Sequence, residues 1–506
     1  MESLREQDLL KKIENYKNIC LYGAGMVGSL VLSRLLSFSI EQGRICFVVS
    51  KPQVNHYYLE IPVFDATSYE WNEECLVVVA TLPKNQGQII YNLKKYNVKD
   101  YIAIDDELFE EMERGYISDF YRKKEKSFLE NDKDVLIMSS DNNYTSGAFL
   151  CMVDLCKGMI KAGLKPLVVL PGYGNGEGLL LDNKIEYLFV QSRSGLVEFD
   201  KDRNERDQII NENALVEIEK IIISCHIKLL HNNSNHTYVG ALVAQKMSIP
   251  YIWHIRENIY EQGFHFFDDD IIYGIINGAN RIITVSHYIG DCYPKLDKER
   301  ISYVYDGVEI ERYYCKREIL QDKTIRILMP GIMVPLKGQH QLIKAAKRLD
   351  SLNIDFDISL VGSGDADYVK EIEEDAENGH LSDRVHLYER VNNLEEWYRN
   401  ADVVVVCSRS EAFGRVTVEA QLSGCVVIGA DCGATPELIT NGETGYLYEL
   451  DNAEMLKDKI VEIDCEREKA LVIAKNGQKR ALESYDKDVN CKNVLDIYQM
   501  ILENCL

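Results

Sequence analysis

The 506-residue sequence has little positive charge, and its cysteines form no recognisable pairs. Its 57 lysines and arginines stand against 81 aspartates and glutamates, which gives a formal net charge of −24. Because nucleic acids bind basic surfaces, this balance argues against a nucleic-acid partner. The 14 cysteines include no CxxC pair and lie singly in apolar runs, as reduced cysteines do in cytoplasmic proteins.

Long hydrophobic runs are also missing. The N-terminal residues MESLREQDLL are charged and lack the apolar segment of a signal peptide. The longest apolar runs, LVVVA and VVVVC, have the length of strands and are too short to span a membrane. We therefore expect a cytoplasmic protein, at most peripheral at the inner face of the membrane. The one dense basic cluster, YRKKEKSF at 121–128, is either a solvated surface or a contact with anionic lipids.

The sequence contains no pattern of metal ligands either. His231, His236 and His265 match no zinc-site spacing, and no cysteine ligands are interleaved with them. We therefore expect no metal site.

Short β-branched segments alternate with helical patterns along almost the whole chain. This alternation is typical of βαβ units with parallel sheets, so the sequence predicts an α/β fold. The length predicts roughly three domains. We place the first domain at 1–115, a helical linker at 116–132, the second domain at 133–320, the third at 321–485 and a C-terminal helix at 486–506.

The most informative stretch is SRSEAFGRVTVEAQLSG at 408–424, which leads from a strand into a helix. Such a helix start lies at the ligand-binding edge of a parallel sheet, and its N–H groups and dipole attract anions. Gly414 would let a ligand approach the backbone closely. Ionised Glu411 and Glu419 only accept hydrogen bonds, so they suit hydroxyl groups on either side of phosphates, as in a nucleotide diphosphate sugar. The alternative is that Glu411 caps the helix and Glu419 faces solvent.

A second glycine-containing loop follows the first strand of the third domain. GIMVPLKGQ at 331–339 places Lys337 and Gly338 at the same edge of the predicted sheet. A lysine suits diphosphate oxygens there, although an exposed lysine at a helix start is the alternative.

These motifs together resemble a known family. SRSEAFGRVTVEAQLSGCVVIGADCGATPELITNGETGYLYE, ILMPGIMVPLKGQHQLIKAAKRL and ISLVGSG are similar to the donor-binding signature of the GT-B retaining glycosyltransferases of family 4. The resemblance is dense over 325–450 and fainter over 134–320. It implies two Rossmann-like domains forming a GT-B cleft, the acceptor-side domain at 133–320 and the donor domain at 321–485, with an additional N-terminal Rossmann-like domain.

The resemblance also implies roles for single residues. Glu411 would contact the donor sugar, Glu419 the ribose, and Lys337 the diphosphate. His254 would face the donor sugar across the cleft, although a packed histidine at a strand end is the alternative. The predicted catalytic residues are Glu411, Lys337 and His254; the further donor-binding residues are Gly331, Gly338, Ala412, Phe413, Gly414, Arg415, Val416 and Glu419; the acceptor-side loop contributes Ser146 and Gly147.

One departure from the family pattern concerns an arginine a few residues before the lysine. The corresponding positions here are Gly331 and Ile332, so this arginine is missing. Arg390, Arg409 and Arg415 are the candidates to replace its charge.

The function implied by the resemblance is metal-independent hexosyl transfer with retention, without a cofactor. The donor would be a nucleotide sugar with UDP as the expected nucleotide, and the acceptor a glycan or a lipid-linked molecule in bacterial surface polysaccharide synthesis. Two alternatives stay open: a sugar-nucleotide epimerase of the same fold, and a degenerate, non-catalytic binding partner.

The first domain carries the glycine pattern of a dinucleotide site in LYGAGMVGSLVLSRLL, with Gly23, Gly25 and Gly28. The acidic residue expected at the end of the second strand is replaced by Ser50 and Lys51, which argues against NAD. Packing, regulation or homo-oligomer formation is the favoured role. An oxidoreductase acting through this domain is the remaining alternative.

Overall fold

The computed structural model describes residues 5–50, 57–123, 131–199, 201 and 204–503. Three largely parallel sheets follow one another along the chain and alternate with helices. The predicted α/β class with Rossmann-like sheets is confirmed. Lys51 and most of the basic cluster at 121–128 lie outside the described residues.

The first sheet has the strand order β3-β4-β2-β1-β5-β6. Its pairs are parallel except β3 with β4, and β5 is buried along its whole length, which explains its apolar sequence. The strands are β1 (Asn18–Tyr22), β2 (Ile45–Val49), β3 (Tyr57–Tyr58), β4 (Ile61–Asp65), β5 (Cys75–Val79) and β6 (Tyr101–Ala103). The helices are α1 (Glu6–Ile13), α2 (Met26–Ser37), α3 (Gln86–Lys95) and α4 (Asp106–Lys123).

The second sheet has the order β15-β14-β12-β11-β7-β8-β9, and β10 pairs with β13 in a separate antiparallel ribbon. The strands are β7 (Val135–Met138), β8 (Pro166–Leu170), β9 (Glu186–Phe189), β10 (Leu196–Glu198), β11 (Leu229–Asn232), β12 (Tyr251–Ile255), β13 (Phe264–Phe266), β14 (Arg281–Thr284) and β15 (Ile301–Tyr303). The helices are α5 (Gly147–Lys161), α6 (Glu177–Asp182), α7 (Glu205–Ser224), α8 (Val239–Met247), α9 (Asp269–Gly278), α10 (His287–Cys292) and α11 (Ile310–Tyr313).

The third sheet has the order β18-β17-β16-β19-β20-β21. The strands are β16 (Ile325–Pro330), β17 (Phe356–Val361), β18 (Val385–Tyr388), β19 (Val403–Val406), β20 (Val426–Ala430) and β21 (Tyr446–Tyr448). The helices are α12 (Gln339–Ser351), α13 (Ala366–Asn378), α14 (Leu394–Asn400), α15 (Arg415–Leu422), α16 (Thr435–Leu438), α17 (Ala453–Cys465), α18 (Arg467–Ser484) and α19 (Lys487–Glu503).

The helix α4 joins the first domain to the second. It runs without interruption through the predicted limit at residue 115, so that limit falls inside a helix. Glu113 on this helix is 3% exposed and accepts hydrogen bonds from Tyr173 N (2.8 Å) and Gln191 Nε2 (2.7 Å). The first domain is therefore fastened to the second by buried polar contacts.

The C-terminal helix α19 returns from the third sheet to the second domain. Cys491 on α19 packs against α5, where its thiol donates to Leu155 O at 3.8 Å, and Tyr498 is 1% exposed. Within the described residues, no helix has both the length and the apolar character needed to span a membrane.

Candidate active site

The second and third sheets each reverse their strand order beside one shared cavity. β7 lies next to β11, and β16 next to β19, although neither pair is consecutive in sequence. Ligands bind beyond the carboxyl ends of such strands in open α/β sheets. A cavity of about 360 Å³ lies there, between the two domains. Of the predicted residues, Ser146, Gly147, Glu411 and all of 412–416 line it.

The loop after β19 gives this cavity its anion-binding character. Gly414 precedes α15 with φ +103°, a left-handed conformation that favours glycine. It has no side chain to cap the first turn, so the N–H groups of Arg415 and Val416 stay available beside the cavity. The helix N-terminus thus presents donors and a positive dipole end to a ligand.

Lys337 and Glu411 form an ion pair at this edge of the sheet. Lys337 Nζ lies 2.5 Å from Glu411 Oε1, with side-chain exposures of 30% and 14%. Gly338 has φ +76°, and a Cβ built there would lie 2.5 Å from Cys407 O, so the lysine turn packs directly on the end of β19. Gly331 has φ +143°, and its carbonyl touches Gly362 in the same way. Lys337, Gly331 and Gly338 do not line the cavity, and Lys337 is connected to it through Glu411.

Glu419 is buried on α15, with 5% of its surface exposed. Its Oε2 accepts a hydrogen bond from Tyr398 Oη at 3.0 Å, and its Oε1 lies 3.5 Å from Arg415. Burial raises the pKa of the Glu419 carboxyl. This glutamate therefore neither faces solvent nor lines the cavity.

His254 is placed differently from the prediction. Its ring is 1% exposed, lies inside the second domain and is absent from the cavity wall. Its Nδ1 lies 3.2 Å from His231 Nε2 and 3.2 Å from Arg256 NH2. This placement agrees with the alternative of a packed histidine at a strand end, and a contact of His254 with the donor sugar stays a prediction. The strand still belongs to the sheet at residue 254, and it leaves the sheet only after Ile255.

Three residues missed by the sequence reasoning form the opposite cavity wall. Arg256 and Glu257 follow β12, and Asp306 follows β15, all at carboxyl ends of strands. Arg256 NH1 lies 2.5 Å from Asp306 Oδ1. The sequence does place two charged residues, Arg256 and Glu257, directly after the apolar strand YIWHI, and this pattern could have indicated a position at the carboxyl end of the sheet.

Comparisons with known proteins decide the family. The model of Glycosyltransferase Family 4 matches 145–312, and that of Glycosyl transferases group 1 matches 315–480. An uncharacterized glycosyltransferase of Methanocaldococcus jannaschii is 32% identical over 272 residues, which cover 51% of this chain and 72% of that protein. The chain therefore belongs to the glycosyltransferases that these two family models describe.

Two further matches are a curated protein and a solved structure. CapM of Staphylococcus aureus, a capsular polysaccharide biosynthesis glycosyltransferase, is 24% identical over 209 residues, covering 39% of this chain and 54% of CapM. The crystal structure of Anabaena HepE in complex with UDP and glucose matches with a TM-score of 0.61 and 21% identity, covering 72% of this chain and 99% of HepE. This likeness supports the GT-B fold.

The glycosyltransferase keeps an apolar residue where the family pattern has an arginine. Ile332 is 54% exposed. Among the three candidate replacements, Arg415 lines the cavity and donates to Gly307 O at 3.0 Å. Arg409 pairs with Asp451, and Arg390 lies over the ring of Tyr144, 6.0 Å from its centre.

The two lobes of the glycosyltransferase are tied together beside the cavity. Ser286 Oγ donates to Ala412 O at 2.6 Å. Glu437 on α16 accepts from the backbone N–H groups of His287 (3.0 Å) and Tyr288 (2.7 Å) at the start of α10. These contacts fix the separation of the walls that carry Arg256 and Gly414.

Outside the two matched segments, the first domain of the glycosyltransferase has a tight glycine turn. Gly23 has φ +125°, and a Cβ on Gly28 would lie 2.1 Å from Gly23 O, so Gly28 lets α2 pack on the turn. A Cβ on Gly25 would meet nothing within 4 Å. Ser50, which follows β2, shares a hydrogen bond of 3.1 Å with Tyr22 Oη.

Across the described residues, no group of three or more His, Cys, Asp or Glu side chains is arranged to hold a metal ion.

Proposed function

We propose that the protein is a retaining glycosyltransferase that moves a hexosyl group from a UDP-linked sugar to a hydroxyl of a glycan or lipid-linked acceptor. One observation carries the proposal: the Lys337–Glu411 pair stands beside the uncapped N-terminus of α15 at a cavity between two Rossmann-like lobes. A cation, free N–H groups and a hydroxyl acceptor are the groups that a diphosphate and a sugar require.

The donor is proposed to lie along the loop that leads into α15. Its diphosphate takes hydrogen bonds from the N–H groups that follow Gly414 and from Lys337, and its sugar hydroxyls donate to Glu411. Glu419 would hold the ribose after a local rearrangement around Tyr398, since its carboxyl is buried. UDP is the nucleotide to test first because the HepE structure holds UDP and glucose.

The charge of the cavity wall supports a hydroxyl-rich acceptor. Carboxylates outnumber guanidinium groups there, and ionised carboxylates accept hydrogen bonds from hydroxyls. The carboxylates are Asp141, Glu257, Asp306 and Glu411, and the guanidinium groups are those of Arg256 and Arg415. CapM supports surface polysaccharide synthesis as the setting.

The proposed reaction needs no protein nucleophile. The bond between the anomeric carbon and the β-phosphate oxygen breaks, and its electron pair stays on that oxygen of the departing UDP. The acceptor oxygen bonds to the anomeric carbon from the same face and loses its proton to the departing phosphate oxygen. Lys337 and the helix N–H groups stabilise the charge that develops on the leaving group, so the proposed chemistry requires no metal ion.

A transfer assay with defined donors tests the proposal. The protein is incubated in EDTA with UDP-glucose, UDP-galactose or UDP-N-acetylglucosamine and with p-nitrophenyl glycosides or a polyprenyl-diphosphate sugar. NMR of the products follows UDP release and the anomeric configuration. We expect UDP release that depends on acceptor, with retained configuration. An epimerised UDP-sugar without transfer would favour the epimerase, and UDP binding without any turnover would favour a degenerate binding protein. An inverted anomer would contradict retention.

A further inference from the structure

Arg256 is a buried cation on the acceptor-domain side of the cavity, and three neighbouring groups hold its guanidinium group. Its side chain is 5% exposed. Nε donates to Asn233 O at 3.1 Å, NH1 meets Asp306 Oδ1 at 2.5 Å, and NH2 lies 3.2 Å from His254 Nδ1. A guanidinium group has more N–H donors than these contacts use. Because Arg256 lines the cavity, its remaining N–H groups can donate to a ligand there.

A chain of hydrogen bonds leads from Arg256 into the protein. Arginine only donates, so His254 Nδ1 must be an unprotonated acceptor nitrogen. His231 Nε2, 3.2 Å from that nitrogen, then carries a proton and donates. His231 Nδ1 accepts in turn from Tyr498 Oη on α19, at 2.6 Å. All donors in this chain therefore point towards the nitrogen that holds Arg256.

The protonation states agree with this direction. Burial and the nearby Arg256 charge lower the pKa of His231 to about 3 and lower the pKa of His254 as well. Both rings are therefore neutral at neutral pH and can act as acceptors. Burying two neutral histidines and a tyrosine hydroxyl with directed partners fixes one orientation of the arginine.

We propose that Arg256 contacts the leaving diphosphate from the acceptor-domain side, and that His254, His231 and Tyr498 are positioning residues that hold its guanidinium group there. This inference rests on the proposed function. It adds a second cation, beside Lys337, to the proposed diphosphate site. It also gives His254 a role one residue removed from the substrate.

The geometry favours the diphosphate over the acceptor as the target of Arg256. The run 412–416 lines the same cavity as Arg256 and includes the uncapped start of α15. Lys337 and Arg409 also have acidic partners, Glu411 and Asp451. The other guanidinium of the wall, Arg415, is held by Gly307 O and Glu419. Arg256 has N–H groups that its contacts do not use, so it can donate to a phosphate oxygen together with Lys337.

The test compares the affinities for UDP and UMP, which differ by the β-phosphate, using calorimetry on the full chain. We expect Arg256→Ala to weaken UDP binding by roughly tenfold or more and to change UMP binding little. His254→Leu should lose a large part of the same UDP preference, whereas His254→Asn, which keeps an acceptor near the position of Nδ1, should retain it. Tyr498→Phe should reduce the preference less than His254→Leu does.

The coupling between the residues separates positioning from mere stability. In the Arg256→Ala background, His254→Leu should change the UDP-to-UMP ratio less than twofold, because its effect acts through the arginine. If His254→Leu lowers the ratio equally in both backgrounds, or if Arg256→Ala leaves the ratio unchanged, the inference fails. His386→Leu, which removes a ring paired with Asp357 in the third sheet, is the matched control and should keep the wild-type ratio. If His254→Leu does not fold, Tyr498→Phe carries the same comparison.

The outcomes also distinguish the inference from the proposed function. If the wild type binds UDP and transfers sugar but Arg256→Ala keeps the UDP preference, only the inference is overturned. If the wild type binds neither UDP nor a UDP-sugar, the donor assignment and the inference both fall.

Discussion

Lys337 Nζ lies 2.5 Å from Glu411 Oε1, so the predicted phosphate ligand and the predicted sugar ligand neutralise each other in the free protein. The two side chains come from the loops that follow β16 and β19, adjacent strands at the point where the strand order reverses. A nucleotide sugar would separate them, because the phosphates attract the lysine and the sugar hydroxyls donate to the glutamate. Donor binding therefore includes the cost of breaking an ion pair.

This ion pair predicts opposite effects of Glu411→Gln on two ligands. Removing the carboxylate charge frees Lys337, so UDP should bind as tightly as to the wild type or up to about tenfold more tightly. Sugar transfer should fall by roughly 10- to 1,000-fold, because the amide no longer orients the sugar as an anionic acceptor does. Calorimetry with UDP and the transfer assay measure the two effects. Lys337→Met is the matched variant and should weaken UDP binding; a similar weakening in Glu411→Gln would contradict the proposed role of the pair.

Gly147 offers a way to detect ligand approach without disturbing the fold. It is the first residue of α5 and lines the cavity, and a Cβ built on it meets nothing within 4 Å of the protein. Gly147→Ala should therefore keep or slightly raise the thermal midpoint, since alanine favours helix. If the substrate passes close to this backbone, kcat/KM should fall by about tenfold or more. Gly178→Ala, an equally open helical glycine on α6, is the control and should keep full activity. Full activity in both variants would remove Gly147 from the substrate path.

Glu419 calls for care in any mutational test of the ribose contact. Glu419→Ala leaves Tyr398 Oη and Arg415 without their buried partner, so we expect a loss of about 3 kcal/mol in unfolding free energy, visible in the thermal midpoint. Tyr398→Phe removes only one hydrogen bond and should cost about 1 kcal/mol. Loss of activity in Glu419→Ala therefore says little by itself about ribose. A ribose contact predicts that Glu419→Gln, with nearly wild-type shape, weakens uridine nucleotides while Tyr398→Phe does not.

The sequence predicted those parts of the site that depend on local chain geometry. The turn at Gly414 could be predicted from the sequence because the buried strand, the glycine and the helix lie within a few residues of one another. The position of Lys337 in the loop after β16 could be predicted for the same reason. The parallel sheets followed from alternating strand and helix patterns, and the assignment to the family rested on the order of these local motifs.

The parts that the sequence did not predict depend on long-range packing. His254 and Arg256 are two residues apart at the end of β12, and only the extent of the sheet decides that the first is buried and the second lines the cavity. The link from His231 to Tyr498 joins residues 267 positions apart, through a helix that crosses between lobes. The predicted limit at residue 115 lies inside α4, because the acidic helix pattern does not reveal where this helix begins or which domain it packs against.

The buried histidine chain predicts a stability that falls in mild acid. The pKa of His231 is lowered from 6.5 to about 3 in the folded protein, so below pH 6.5 the unfolded chain binds a proton that the folded chain does not. Unfolding therefore becomes easier as the pH falls from 6.5 towards 3, by about 2 kcal/mol at pH 5 for this one group. We expect the drop in thermal midpoint between pH 7 and pH 5 to be smaller in His231→Gln than in the wild type. His226→Gln, at an exposed position, should keep the wild-type drop. An equal drop in all three proteins would mean that His231 is not held neutral in the folded state.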